Sequence, residues 1–264
     1  MLQFLEEYSK GWAFMLKRVV IKLSGEAIGE TGGGEKSGYN DAVIASIIGQ
    51  IIRVVAAGTQ VSLVVGGGNY WRGRQACPEM DRVRADQIGM LATVMNAIYL
   101  ADSFRRAGQN AKVLTPITVG NLTTLYEKDA ALEMLAAGTV LINAAGTGHP
   151  FFSTDTIAAL RAAELDANCV LYAKNTDGTY NDDPRTNPAA RKFRTLSYRT
   201  AIAQNLNVAD MTALQISSDA NIPSYVFELN APESITLACA HPNTKSLNGT
   251  YISQNSKDEF WHVC

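Results

Sequence analysis

At 264 residues with 47% apolar side chains, the chain carries enough material for a sizeable core in one domain or two small ones. Its formal net charge of −2 gives no electrostatic case for nucleic acid or an anionic membrane. No apolar run reaches membrane-spanning length, and the widely spaced Cys77, Cys169, Cys239 and Cys264 suit a reducing compartment better than a disulfide framework or zinc site.

Met1–Phe14 lacks the basic start and long apolar core of a signal peptide. It is expected to be an extension or upstream start outside the fold, or an amphipathic helix packed on a partner. Arg18–Leu23 (RVVIKL) then reads as a buried strand with Lys22 near its carboxyl end. Ligands gather at the carboxyl ends of strands in open α/β sheets, so Lys22 fits a phosphate-binding role, and equally a snorkelling strand-end lysine. Gly29–Ser37 misses the P-loop pattern because Glu35 separates Gly34 from Lys36, and it reads as a flexible loop.

Helical periodicity covers Tyr39–Ala57 and stops at Gly58. Strand Gln60–Val65 follows and runs into Gly66-Gly67-Gly68-Asn69-Tyr70-Trp71-Arg72-Gly73. Three glycines after a buried strand let the backbone approach a ligand, and Arg72 can fork onto phosphate oxygens. Asp86–Ala107 is a long helix whose apolar stripe (Ile88, Leu91, Ala92, Met95, Ile98, Tyr99, Leu100) serves either the core or a subunit contact. Asp86, near its start, either complements the helix dipole or faces a ligand.

Ala111–Leu114 is a short strand, Glu127–Ala137 a helix ending at Gly138, and Val140–Ala145 another strand. The loop Gly146-Thr147-Gly148-His149-Pro150 leads to Ser153-Thr154-Asp155, three good caps before helix Ile157–Leu165. A strand, a donor-rich loop and a helix N-terminus form a place for an anion, although an ordinary strand-to-helix turn looks the same. Strand Cys169–Ala173 leads into Lys174–Pro184, where Asp177-Gly178 signals a turn and Tyr180 offers a face for stacking on a base. Thr200–Asn205 and Asp210–Ala220 read as helices, Ser224–Leu229 as a strand, and Ser253–Cys264 as a polar, frayed end.

This alternation predicts an α/β three-layer sandwich, a mainly parallel central sheet covered by helices on both faces. The expected organisation is an extension at 1–15, one domain at 16–252 and a tail at 253–264.

The motifs IKLSGEA (Ile21–Ala27), VVGGGNYWRG (Val64–Gly73), RADQIGMLATVMN (Arg84–Asn96), AAGTGHPFFSTDTIAALRAAEL (Ala144–Leu165) and DGTYNDDP (Asp177–Pro184) occur in one order along the chain. Together they resemble the amino acid kinase superfamily, with its carbamate kinase-like fold, and within it most closely the bacterial UMP kinases. The resemblance implies transfer of the γ-phosphoryl group of Mg-ATP to UMP, giving UDP and ADP in de novo pyrimidine nucleotide synthesis. It implies Mg2+ carried by ATP with no direct protein ligand assigned, GTP as an activator, UTP as an inhibitor, a homohexamer, and a cytoplasmic setting.

By the same resemblance, Lys22, Arg72, Asp155 and Asp210 are the catalytic set. Leu23, Ser24, Gly25 and Gly68 join Lys22 and Arg72 around ATP, with Lys174, Tyr180 and Asp183 toward its nucleoside. Gly67, Asp86, Thr147, Gly148, His149, Pro150, Phe151, Phe152, Ser153 and Thr154 surround UMP, Thr154 nearest its phosphate. His149 departs from the family's usual Asn, and Asn168 from a frequent Asp. The text of Gly29–Asn40 and Thr118–Tyr126 is also atypical. Two other readings are a kinase of this fold with a carboxylate or carbamate acceptor, and a non-catalytic nucleotide-binding or storage protein.

Overall fold

The computed structural model describes residues 15–29, 38–72, 77, 79–240 and 248–261. The readings made for Met1–Phe14 and for residues 30–37 lie outside the described residues. Among those described, ten strands form one sheet: β1 (Arg18–Leu23), β2 (Gln60–Val65), β3 (Ala111–Thr115), β4 (Thr124–Leu125), β5 (Val140–Asn143), β6 (Cys169–Lys174), β7 (Phe193–Ser197), β8 (Ser224–Glu228), β9 (Thr250–Ser253) and β10 (Glu259–Phe260). Their order is β10-β7-β9-β8-β6-β1-β2-β5-β3-β4. From β8 through β4 every pair is parallel, and only β8–β9 and β10–β7 run antiparallel.

The helices are α1 (Gly25–Ile28), α2 (Asp41–Ala56), α3 (Arg82–Arg106), α4 (Lys128–Ala136), α5 (Thr154–Glu164), α6 (Tyr198–Ala203), α7 (Met211–Asp219) and α8 (Ser234–Ala240). The two-residue period of the strands sorts them into layers. Val19, Ile21 and Leu23 pack on Ile47 and Ile51 of α2, Val94 and Leu100 of α3, and Ile235 of α8. Val20 and Val64 point the other way, onto Ile157 and Ala158 of α5 and Leu214 of α7. Helix α4 completes that second layer through Ala131 and Leu135 against Leu141. The expected three-layer arrangement is therefore present.

Several boundaries differ from the sequence reading. Helix α3 starts at Arg82 because Asp81 caps it, accepting from Arg84 N–H at 3.1 Å, so Asp86 sits a full turn inside. Strand β5 stops at Asn143, since Ala145 turns into the left-handed region at φ 59°. Of the three candidate caps only Ser153 caps α5, while Thr154 and Asp155 occupy its first turn. The atypical segment near Thr118–Tyr126 contains β4, which extends the sheet beside β3. The expectation of a frayed end at Ser253–Cys264 is corrected as far as Trp261: β10 pairs with β7, and Phe260 stacks on Phe193 with ring centroids 4.3 Å apart.

Candidate active site

Strand parity places the first cation. Because Val20 faces α5, so does Lys22, and its ammonium lies 2.8 Å from Asp155 Oδ1 in the first turn of α5. The two side chains keep only 13% and 16% of their exposure, so this ion pair is shielded from bulk water. Tyr172 is the ladder partner of Lys22, and Lys174 follows two residues later on the same face. Lys174 Nζ donates to the Asn207 carbonyl at 3.4 Å. Burial holds its pKa below the ordinary lysine value, with Asp155 opposing that shift and Lys22 reinforcing it. The Tyr172 hydroxyl is buried without a hydrogen-bond partner, and burial pushes its pKa up.

Asp210 binds two helix starts together. Its Oδ1 accepts from Ala213 N–H at 2.9 Å, capping α7, while the Thr156 hydroxyl donates to its carboxylate at 2.9 and 3.0 Å. The Ser153 hydroxyl donates to Asp210 Oδ2 as well as accepting from Asp155 N–H at 3.0 Å.

The glycine loop is set by close backbone approach. A Cβ on Gly25 would lie 2.6 Å from Gly68 N and 2.7 Å from Gly66 O, and one on Gly67 would lie 2.8 Å from Ala92 Cβ in α3. Asn96, fully buried in α3, donates to the Gly66 carbonyl and to Asn69 Oδ1, both at 2.7 Å. Beyond the loop, Arg72 pairs with Glu26.

The segment after β5 is held to α3 at two points. Ala145 N–H donates to the Thr93 hydroxyl at 2.7 Å, and Phe151 N–H to Asp86 Oδ2 at 2.8 Å. Arg82 fixes the same carboxylate at 2.9 and 3.0 Å and lies 5.4 Å from the Phe151 ring centroid. Four residues here have positive φ: Ala145 (59°), Gly146 (56°), Gly148 (79°) and Phe151 (70°). Left-handed backbone at two non-glycine positions is strain of the kind that collects at functional sites.

A cavity of about 480 Å³ opens between these pieces. Of the residues expected at the site, Gly67, Arg72, Asp86, His149, Phe152, Ser153 and Thr154 line it. Thr147, Gly148, Pro150 and Phe151 do not; Phe151 is 66% exposed on the outer side of the loop. Nor do Lys22, Leu23, Ser24, Gly25, Gly68, Asp155, Lys174 and Asp210 line it: Ser24 caps α1, and Leu23 O accepts from Gly66 N–H at 2.9 Å. Tyr180 and Asp183 lie apart from the cavity. The Tyr180 hydroxyl donates to Asp177 at 2.9 Å, and the Arg185 guanidinium holds the exposed Asp183 carboxyl down at about 2. Asn168 accepts from Arg18 N–H at 2.8 Å, which gives it a role at the start of β1.

Glu26, Trp71, Thr93 and Asn96 were not singled out from the sequence, although each lies within a quoted motif. A buried asparagine and threonine inside an apolar helix are the readable signal, because such groups need partners. Among the described residues no group of three or more His, Cys, Asp or Glu side chains is placed to hold a metal ion.

A family model described as the amino acid kinase family matches residues 17–228. The crystal structure of UMP kinase from Bacillus anthracis is similar, with 33% identity, 94% of this chain and 100% of that one covered, and a TM-score of 0.85. UMP kinase from Ureaplasma parvum is 34% identical, with 90% and 99% covered and a TM-score of 0.81. Uridylate kinase from Archaeoglobus fulgidus is 26% identical over 89% and 99%, with a TM-score of 0.66.

Proposed function

The chain belongs to the amino acid kinase family, and from that premise we propose that it transfers the γ-phosphoryl group of ATP to UMP, giving UDP and ADP. The observation that carries this reading is the Lys22–Asp155 pair between the end of β1 and the first turn of α5, where the adjoining Thr154 lines a cavity with Arg72, Asp86 and Ser153. Phosphoryl transfer through a loose transition state asks for positioning and positive charge more than covalent chemistry.

In this reading Lys22 stands between donor and acceptor and meets charge on the transferring oxygens, with Asp155 fixing its ammonium. Arg72 exchanges Glu26 for phosphate oxygens, a bidentate partner suited to its planar fork. Thr154, at the positive N-terminus of α5, faces the UMP phosphate. Gly67, Asp86, His149 and Phe152 surround the nucleoside, and Thr147–Phe151 close over it. Ser24, Gly25 and Gly68 bring backbone to the ATP phosphates behind Leu23, while Lys174, Tyr180 and Asp183 receive the rest of the nucleotide. Asp210 keeps α5 and α7 in register.

Two carboxylates at the start of α5, Asp155 in its first turn and Asp210 bound by its Ser153 and Thr156 hydroxyls, suit a magnesium ion that arrives on ATP and keeps most of its water. Asp155 and Asp210 would hold that hydrated ion, which supplies charge neutralisation on the β- and γ-phosphates.

The reading extends to GTP as activator, UTP as inhibitor, a homohexamer, and a cytoplasmic role in pyrimidine nucleotide synthesis. Ile88, Leu91, Met95 and Ile98 support self-association: they form an apolar stripe on α3 that is 37–53% exposed. No helix among the described residues is long and apolar enough to cross a membrane.

The test is ADP release from Mg-ATP with UMP, CMP, dTMP, AMP, aspartate and carbamate offered separately. Strong preference for UMP is expected. Turnover confined to aspartate or carbamate, or UMP binding without turnover, overturns the proposal in favour of another acceptor or a binding protein.

A further inference from the structure

Lys192, on the segment leading into β7, is a cation that the proposed reaction does not use. Its side chain is only 10% exposed, and its ammonium lies 2.6 Å from Asp177 Oδ2. Asn248, before β9, accepts from the same ammonium. The Trp261 indole covers it, with Nζ 5.6 Å from the ring centroid, a distance at which a cation is attracted to the π-face.

Backbone contacts tie the same elements together. Trp261 N–H donates to the Lys192 carbonyl and Trp261 Nε1–H to the Gly249 carbonyl, both at 3.0 Å. Thr179 N–H donates to the Thr250 hydroxyl at 2.8 Å, and that hydroxyl donates to the Phe193 carbonyl at 2.6 Å. Gly178 fits beneath because a Cβ there would lie 2.8 Å from Thr250 Oγ1 and 2.9 Å from Lys192 Cδ. The Asp177–Tyr180 turn is therefore clasped by Lys192 and the β9 entry, with Trp261 laid over both.

We propose that Lys192, covered by Trp261, is a positioning residue for the donor nucleotide. It anchors Asp177, which in turn holds the Tyr180 hydroxyl, and so fixes the Lys174–Asp183 segment against which ATP lies. This rests on the proposed assignment of that segment to ATP. Lys192 touches neither substrate in this account, so its effect falls on ATP and leaves the UMP side of the cavity alone.

The test uses the full-length protein and a non-hydrolysable ATP analogue with magnesium, titrated by calorimetry, alongside KM for ATP and for UMP. Lys192→Met and Trp261→Leu are each expected to weaken analogue binding and raise KM for ATP about tenfold, equivalent to ~1.4 kcal/mol. KM for UMP is expected to stay within about twofold, and Lys192→Arg to restore most of the ATP affinity, since it keeps the charge. Unchanged analogue affinity in folded Lys192→Met and Trp261→Leu overturns the proposal. Equal losses for ATP and UMP that track a fall in Tm also overturn it, because that is a stability effect. An unmutated protein that binds no analogue overturns the kinase reading together with this one.

Discussion

Lys22 at the end of β1 and Asp155 in the first turn of α5 form an ion pair 2.8 Å apart, across the seam between the sheet and one helical layer. The pair places a shielded positive charge where strand ends, glycine loop and helix start converge. Lys22→Ala is expected to lower kcat by at least about 10²-fold, the scale of losing one donor that acts in the transition state. Folding is expected to survive, because the neighbouring Lys174 still offers Asp155 a cation. ADP release and a thermal melt on one preparation check both halves, and near-normal turnover in folded protein would remove Lys22 from the mechanism.

Asn96 is expected to matter for the glycine loop without meeting a substrate. Asn96→Ala leaves the buried Gly66 carbonyl and Asn69 side chain short of a donor, at a cost of about 1–3 kcal/mol. Chemical denaturation should show that loss, and KM for both substrates should rise. Full stability in this variant would contradict the account of the loop.

Gly25→Ala tests backbone approach. The new Cβ would meet Gly68 N and Gly66 O, which cannot rotate away as a side chain can. The two loops must separate, at a cost of about 1–3 kcal/mol, and turnover should fall with Tm. A variant as stable and active as the unmutated protein would mean the contact is looser than described.

Asp177 predicts a pH dependence. Burial alone would raise its carboxyl, but hydrogen bonds from Lys192 and Tyr180 outweigh it and hold the group below its ordinary 3.8. A carboxylate with a depressed folded value contributes stability above its unfolded value and loses it as pH falls through the folded one. The Tm deficit of Asp177→Asn should therefore be full at neutral pH and shrink below pH 3.8. A deficit independent of pH would show that shape, not charge, is what Asp177 contributes.

Much of this architecture is legible in the amino-acid text, and what escapes does so for physical reasons. β1 and β2 match their predicted bounds because each is a mostly apolar run bounded by turns. Lys22 is conspicuous because a lysine interrupts such a run. β7, β9 and β10 are short and lie near sheet edges, where burial is partial and periodicity has little to act on. The cap that moved the start of α3 was a single Asp81 preceding the apolar stripe by several residues. Lys192, the Asp177 anchor and Trp261 are far apart in sequence, so only the fold discloses their meeting. The motifs are readable in the amino-acid text, but the partners that hold them in place are not.

Asp210 serves as a shared pivot. One carboxylate receives the Ala213 amide that begins α7 and the Ser153 and Thr156 hydroxyls that begin α5. The loop proposed to hold UMP ends at Ser153, while the Asn207 carbonyl that engages Lys174 lies just ahead of Asp210. The polar joint at Asp210 thus adds to the packing of α5 against α7 through Ile157, Ala158 and Leu214. Substitution at Asp210 is therefore expected to loosen the starts of α5 and α7 together.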